Sequence, residues 1–253
     1  MRKLIAAIMV AAATAIAGQA VAADMPYYPP VIEIPDVDYG VEGSFYLRGS
    51  AAGNALWSRE AHAYECECVV GTLVDTTFPF TAMGYGYSVG AGFGYETGTG
   101  LRFDATLDYI ANEGLKVTKG PTYGARAGDY TVKLRSTIAL ANAYYDFSFG
   151  GDYGYGAAGG AFGYVGAGAG VAFNQSDITS PPASPNPAMS GSNTSLAAAG
   201  MIGVGYDFGA VVADIGYRAI YLQELSNSAA FPDTICANNN WLHEVRTTLR
   251  YRF

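Results

Sequence analysis

The chain has 253 residues and a formal net charge of −8, and only 14% of its residues are charged, against about 25% in a typical soluble domain. The acidic balance argues against nucleic acid or an anionic lipid surface as a bulk partner. Glycine (33 residues) and tyrosine (20 residues) are in excess. This composition is typical of membrane strands, which need aromatic girdles outside and small residues inside.

The N-terminus has the pattern of a secretory signal peptide. Arg2 and Lys3 precede an apolar run from Leu4 to Ala17, and small residues lead up to Ala23. The run is shorter than the roughly 20 residues of a membrane-spanning helix, so we expect residues 1–22 to be a cleaved signal peptide. The mature chain would then carry 12 − 22 = −10 formal charges.

Residues 23–43 are rich in proline and acidic side chains and show no sustained periodicity. Proline lacks the backbone donor that a central strand or a helix needs, so we predict an extended periplasmic lead-in. A disordered linker fits this composition equally well.

From residue 44 onward, apolar side chains alternate with polar or small ones. The pattern is clearest in Thr81–Glu96, where apolar residues at odd positions alternate with glycine or serine. A period of two predicts a β-strand, whose successive side chains point to opposite faces. Eight segments share it: Ser44–Asn54, Thr81–Glu96, Leu101–Ile110, Asp129–Phe147, Phe162–Phe173, Leu196–Phe208, Val211–Leu222 and Trp241–Phe253.

The last of these segments has one apolar and one strongly charged face. Leu249, Tyr251 and Phe253 share the apolar face, whereas three arginines share the opposite face. In a soluble sheet the apolar face would be the core. Because other segments carry complementary charges and the chain begins with an export signal, we expect the apolar faces to meet lipid and the charged faces to line a lumen.

The connections between segments alternate between long and short. The long ones cover residues 55–80, 111–128, 174–193 and 223–240. Short periplasmic turns and long external loops are the rule for outer-membrane barrels, the smallest of which have eight strands. We therefore predict an all-β fold, an eight-stranded antiparallel up-and-down transmembrane β-barrel formed by residues 44–253.

The phase of the fourth strand stays open. Leu134 and Ile138 share one face, whereas Tyr145 and Phe147 fall on the other. Either a bulge near Ala139–Ala141 shifts the phase, or one end of the strand lies outside the bilayer.

Several motifs in these segments resemble the OmpA-like family of eight-stranded outer-membrane barrels, which includes alphaproteobacterial surface antigens and opacity-type proteins. The resemblance covers residues 44–253 and rests on Asn142–Phe147 (NAYYDF), Tyr164–Gly170 (YVGAGAG), Gly203–Phe208 (GVGYDF), Gly216–Arg218 (GYR) and Leu249–Phe253 (LRYRF). It implies a monomer in the cell outer membrane with roles in envelope integrity, adhesion or immune exposure. It gives no expectation of cell-wall anchoring, because the motifs match only the barrel part of full-length OmpA.

The resemblance also implies partners. Leu249, Tyr251 and Phe253 would form the C-terminal signal for the β-barrel assembly machinery, and outer-membrane lipid and lipopolysaccharide would surround the barrel. A host surface ligand is a further expectation.

Nine charged side chains are expected to meet in the lumen, because they fall on inward positions: Arg48, Arg102, Asp104, Asp108, Asp214, Arg218, Glu244, Arg246 and Arg250. A charge in a narrow interior must be paired, so we predict a salt-bridge network. The network could be a gated ion path or a plug that fixes strand register. Eight strands leave an interior just filled by side chains, which favours the plug.

Three cysteines lie in predicted external loops. Cys66 and Cys68 fall in the first loop and Cys236 in the last, and these loops are neighbours in a closed barrel. An oxidising envelope favours a disulfide between Cys236 and one of the other two. The alternative is a metal site of His62, Glu65, Cys66, Glu67 and Cys68, but Cys-x-Cys is shorter than the usual zinc spacing.

Catalysis and cofactor binding are not expected. The glycine-rich strings precede no helix, which a phosphate-binding loop requires. The two histidines are His62 and His243, and no serine lies two positions from His243, the spacing sought in lipid A deacylases. We predict a non-enzymatic surface barrel; the alternatives are a narrow porin for small solutes and a loop-based adhesin or haem-binding protein.

Overall fold

The computed structural model describes residues 43–67, 72–119, 128–149, 160–179, 189–226 and 235–253. The predicted signal peptide, residues 1–22, and all of the predicted lead-in before Gly43 lie outside the described residues. The fold is all-β. Ten strands are present in the described ranges: β1 Ser44–Trp57, β2 Glu60–Glu67, β3 Thr72–Ala82, β4 Gly84–Glu96, β5 Leu101–Lys119, β6 Gly128–Ser148, β7 Gly160–Thr179, β8 Met189–Asp207, β9 Val211–Ser226 and β10 Ile235–Arg252.

The strands form one antiparallel sheet that closes on itself. β1 pairs with β4 on one side and with β10 on the other, where the register runs from Tyr46–Arg252 to Trp57–Trp241. The remaining ring passes in chain order from β4 through β5 to β10. Closure satisfies the backbone groups that an open edge would leave unpaired, which is what a sheet in lipid requires.

The stagger of the ring follows from the pairing. The direct register partners of Asn54, followed from strand to strand once around the barrel, lead back to β1 at Ser44, so the shear is 54 − 44 = 10. With eight strand positions, this shear gives a tilt of roughly 40° from the barrel axis. The intermediate partners are Glu244, Arg218, Met201, Gly166, Tyr144, Arg102 and Glu96.

The predicted first loop is wrong, because β2 and β3 form a hairpin there. β2 lies beyond the end of β1 and pairs with the same neighbour, β10, through Ala61 and Ala237. β3 lies before the start of β4 and pairs with the same neighbour, β5, through Phe80 and Val117. Ten strands therefore fill eight positions of the ring. In Glu60–Glu67, Ala61 and Ala63 alternate with polar residues, so the hydrophobic contrast is low and the period is faint.

The other predicted long loops are also shortened by strand. β5 runs to Lys119 and passes a bulge between Asn112 and Leu115, where Gly114 has φ +90°. The ends of β7, β8, β9 and β10 extend into the ranges 174–193 and 223–240 in the same way.

The predicted bulge near Ala139–Ala141 is wrong. β6 pairs with β7 in one uninterrupted register from Thr131 to Ser148. Leu134 and Ile138 are buried inside the barrel, while Tyr145 on the same strand is exposed on the outer face. Apolar residues occur on both faces of this strand because the barrel interior is itself apolar around Leu134 and Ile138. The strand also extends past the outer aromatic residues, where Lys133 is exposed.

The outer face carries an apolar belt. Large side chains at alternate positions are exposed, including Leu107, Ile202 and Leu249 in the middle of their strands. Aromatic residues mark both ends, with Trp57 paired to Trp241 at one end and Phe253 at the other. No helix among the described residues is long and apolar enough to cross a bilayer.

Candidate functional site

The interior of the barrel has two parts, and both are built from inward positions of the strands. The ionic half lies toward the end that holds Ser44, Phe253 and the short turns at 97–100 and 208–210. The apolar half lies toward the opposite end, at the level of Trp57 and Trp241. Because short turns are periplasmic in outer-membrane barrels, the ionic half faces the periplasm and the apolar half faces the outside.

Four side chains form the innermost cluster of the ionic half. Arg218 donates to Asp108 at 2.7 Å and to Glu244 at 2.6 Å. Arg246 donates to the same two carboxylates, at 2.7 Å and 3.0 Å. All four are almost fully buried, and Ser88 adds a hydrogen bond to Glu244 at 2.5 Å. Two acids and two bases in a closed ring leave no net charge, which suits a poorly hydrated interior.

A second group surrounds Asp104. Its carboxylate accepts hydrogen bonds from Arg48 at 2.7 Å, Tyr46 at 2.9 Å and Asn142 at 2.7 Å. Arg48 also donates to the hydroxyl of Tyr144 at 2.8 Å. The donors come from β1 and β6, so this group connects strands on different sides of the lumen.

The third group lies at the periplasmic mouth and contains residues that were not predicted. Arg102 forms a two-point ion pair with Asp146, at 3.0 and 3.1 Å. Arg252 pairs with Asp207 at 2.5 Å and with Glu96 at 2.7 Å. Arg250 pairs with Glu96 and lies 3.8 Å from Asp214.

All nine predicted lumen residues therefore take part in ion pairs, and Glu96, Asp146, Asp207 and Arg252 extend the network. The alternation of inward and outward positions along each strand could have identified these additional residues. Asp146 shares its face with Asn142 and Tyr144, but the open phase of the fourth strand left this face unassigned.

Inward glycines make room for the long side chains. A Cβ atom at Gly90 would lie 1.9 Å from a carboxylate oxygen of Asp108, and one at Gly216 would lie 2.3 Å from the hydroxyl of Tyr164. On the outer face, a Cβ atom at Gly53 would meet nothing within 4 Å. The alternation of large and small residues in the sequence is thus matched to a lumen that is filled from neighbouring strands.

The apolar half closes the lumen above the ion pairs. Leu56, Leu242 and Ile220 are direct register partners on three successive strands of the ring, and none of them has exposed surface. They belong to one cluster with Ile110, Leu115, Leu134, Ile138, Leu140, Ala172, Ala197, Ala199, Leu222, Leu225 and Ala237. The signal for this cluster is present in the sequence, but lipid-facing and lumen-facing apolar residues look alike in a single strand.

The cysteines are placed only in part. Cys236 has no disulfide partner among the described residues, and its sulfur lies 3.3 Å from the hydroxyl oxygen of Ser226. It pairs with His62 across the β2–β10 ladder, whereas Cys66 lies four residues further along β2, roughly 13 Å away. A bridge between Cys66 and Cys236 does not fit this register, because bonded cysteines have Cα atoms within about 7 Å. Cys68 lies outside the described residues, so its bridge to Cys236 stays a prediction.

The predicted metal alternative also depends on residues that are only partly described. In the described ranges, no group of three or more His, Cys, Asp or Glu side chains is arranged to hold a metal ion.

The C-terminal residues lie on the outer face. Leu249, Tyr251 and Phe253 are exposed, and the backbone amide of Phe253 donates to the carbonyl of Phe45 at 3.0 Å. Their role as an assembly signal stays a prediction.

No family model matches the sequence, and no curated protein matches it. Several solved structures are similar in fold. Neisserial surface protein A (NspA) is 21% identical, with 83% of this chain and 97% of that chain covered and a TM-score of 0.47. OprG from Pseudomonas aeruginosa is 14% identical, with 84% and 97% covered and a TM-score of 0.47. Ail, the attachment invasion locus protein of Yersinia pestis, is 10% identical, with 84% and 99% covered and a TM-score of 0.39.

Similarity at this level concerns the fold alone, and nothing about binding or activity follows from it. The location follows from the barrel itself. A closed antiparallel barrel with an apolar belt facing outward, an aromatic girdle at each end and buried charges inside is the structure of outer-membrane proteins. The protein lies in the outer membrane.

Proposed function

We propose that the protein is a non-enzymatic, non-conducting barrel that contributes to the integrity of the outer membrane. The observation that carries the proposal is the filled lumen. Its periplasmic half is occupied by ion-paired side chains such as Arg218 and Glu244, and its outer half by the apolar cluster around Leu56. An ion path needs continuous water, which paired charges and buried leucines across the lumen disfavour.

The barrel acts in this proposal as a rigid scaffold. Ion pairs such as Arg48–Asp104 and Arg218–Asp108 connect strands that are far apart in the chain. They fix the register of the ring, because a slip by one residue would turn every charge toward lipid. A barrel held in this way would be monomeric and would rely on surrounding lipid and lipopolysaccharide, and on the barrel assembly machinery for insertion.

Planar-bilayer recording tests the proposal against the alternative of a narrow porin. Purified protein should insert without reproducible conductance steps. Steady steps of uniform size, seen at low protein concentration and absent from a mock purification, would favour the porin and overturn the scaffold.

A second candidate is surface contact, by adhesion or by binding of a ligand such as haem. The observation that favours it is the extension of β7, β8, β9 and β10 beyond the aromatic girdle, which presents the ends of these strands outside the membrane. Replacing residues 180–188 and 227–234 with Gly-Ser linkers keeps the described strands intact. Loss of host-surface attachment in this variant, with normal insertion, would support the candidate.

A further inference from the structure

Two polar side chains form a pair on the lipid-facing surface of β9 and β10. The hydroxyl of Tyr217 lies 2.5 Å from Nδ1 of His243, and the two rings stack with centroids 6.0 Å apart and planes 18° apart. Tyr217 is 43% exposed on the outer face. No ion pair of the lumen involves either residue, and the barrel network does not explain this pair.

The depth of the pair can be read from the register. Trp241 pairs with Trp57 in the outer aromatic girdle, and His243 follows two residues later on the same face of β10. Two residues of a strand tilted by roughly 40° descend about 5 Å. Girdle tryptophans lie at the headgroup level, so His243 lies just beneath it, where the acyl chains of the outer leaflet join their headgroups.

The pair has more hydrogen-bond donors than it uses. A neutral imidazole carries one N–H and the phenol one O–H, and the contact between them uses one of these two. If the hydroxyl donates to Nδ1, the Nε2–H is left; if Nδ1–H donates, the hydroxyl hydrogen is left. A protonated ring would leave one donor more. One donor at least is therefore free whether the imidazole is neutral or protonated, and no described side chain accepts it.

The surroundings leave this donor accessible from the membrane. His243 is flanked by Ala55 on β1 and Ala219 on β9, which are its direct partners across the two ladders. Gly53, near Ala55 on the same face, has open space where a side chain would be. Small residues thus leave a notch beside the imidazole on its β1 and β9 sides, while Trp241 and Val245 flank it along β10. In hydrocarbon an unsatisfied donor costs several kcal/mol, so an acceptor from the lipid is favoured.

We propose that Tyr217 and His243 form a binding site for an outer-leaflet lipid, and that the spare donor of the pair binds the carbonyl oxygen of an acyl ester or amide linkage. The acyl chain would lie in the notch beside Ala55 and Ala219. The site is independent of whether the lumen conducts.

Ester-linked and ether-linked phosphatidylcholine provide the test, because ether-linked lipid has the same chains and headgroup but no carbonyl. The full barrel is placed in nanodiscs of each lipid, and the side-chain resonances of His243 and Tyr217 are observed by nitrogen-15 and proton NMR. The free donor should give a slowly exchanging, downfield proton signal in the ester-linked lipid. In the ether-linked lipid this signal should shift upfield or be lost to exchange.

Variants complete the design. H243F removes the pair, and Y221F is the matched control, since the hydroxyl of Tyr221 is satisfied by Asn239 at 2.6 Å on the same outer face. In urea titrations, wild type and Y221F should lose stability on going from ester-linked to ether-linked vesicles by more than H243F does. Identical donor signals in the two lipids, or an equal loss in all three proteins, would overturn the proposal and point to interfacial water as the acceptor.

Discussion

The two halves of the lumen are filled by different kinds of side chain. In the periplasmic half, Asp108 and Glu244 each face two arginines, and the interior is filled by charges that cancel. In the outer half, apolar side chains such as Leu56 and Leu242 fill the lumen instead. Ion pairs demand exact partners, whereas an apolar layer needs mainly volume and shape. The comparison indicates that the periplasmic half specifies the register and the outer half completes the seal.

The largest expected effect is the loss of one arginine from the innermost ionic cluster. R218M should lower the free energy of unfolding by about 3–5 kcal/mol, because Asp108 and Glu244 would then share Arg246 alone in a buried site. Urea titration in lipid vesicles, followed by tryptophan fluorescence, measures the change. The control is R135M, which breaks an exposed pair with Glu113. A loss no larger than that of the control would mean that the cluster does not specify the fold.

The apolar half should respond to lost volume. L56A should cost about 2–5 kcal/mol, since the rigid ring cannot collapse around the cavity. The same titration applies, with L47A as the control, because Leu47 faces lipid that can fill the space. Equal costs at the two positions would show that the outer half is not tightly packed.

A methyl group added inside the ionic half should lower the free energy of unfolding more than a methyl group added on the outer face. G90A should cost about 1–3 kcal/mol, because its Cβ would press on a carboxylate that Arg246 holds in place. G53A should be nearly neutral, since its Cβ would meet no atom. If both variants unfolded at the same urea concentration, the fit between inward glycines and long side chains would be refuted.

The smallest expected effect concerns an ion pair outside the membrane. Beyond Tyr109 on β5, a hydrogen bond from Arg135 holds the pKa of the Glu113 carboxyl below its usual range. A lowered folded-state pKa stabilises the protein above the unfolded value of about 4.3, and this contribution is lost as the pH falls through the folded value. Carbon-13 NMR titration of Glu113 should show the lowered midpoint, and R135M should return it toward normal. An unchanged midpoint in R135M would contradict the assignment.

Much of the barrel was predictable from alternation. The strands around Tyr87, Phe103 and Tyr251 show a period of two, and the same parity placed Arg102, Asp108 and Arg246 in the lumen. The hairpin of β2 and β3 was not predictable, because its alanines give little contrast with their neighbours. The inward face of Leu134 and Ile138 could not be assigned from the sequence, because an apolar residue fits both the lipid side and the apolar part of the lumen.

The sequence by itself determined the period of eight strand segments, the residues that share a face within each segment, and the presence of an export signal pattern. It could not determine depth, because parity is the same at every level of a strand. Only the tertiary structure decided which residues of different strands lie at the same depth, because the shear of ten residues sets the height of each strand against its neighbours. This register brings Asp108, Arg218, Glu244 and Arg246 to one level of the lumen and the leucines of the apolar half to another. The tertiary structure also decided that β2 and β3 are strands of the ring, since they pair with β10 and β5, which are distant in the chain.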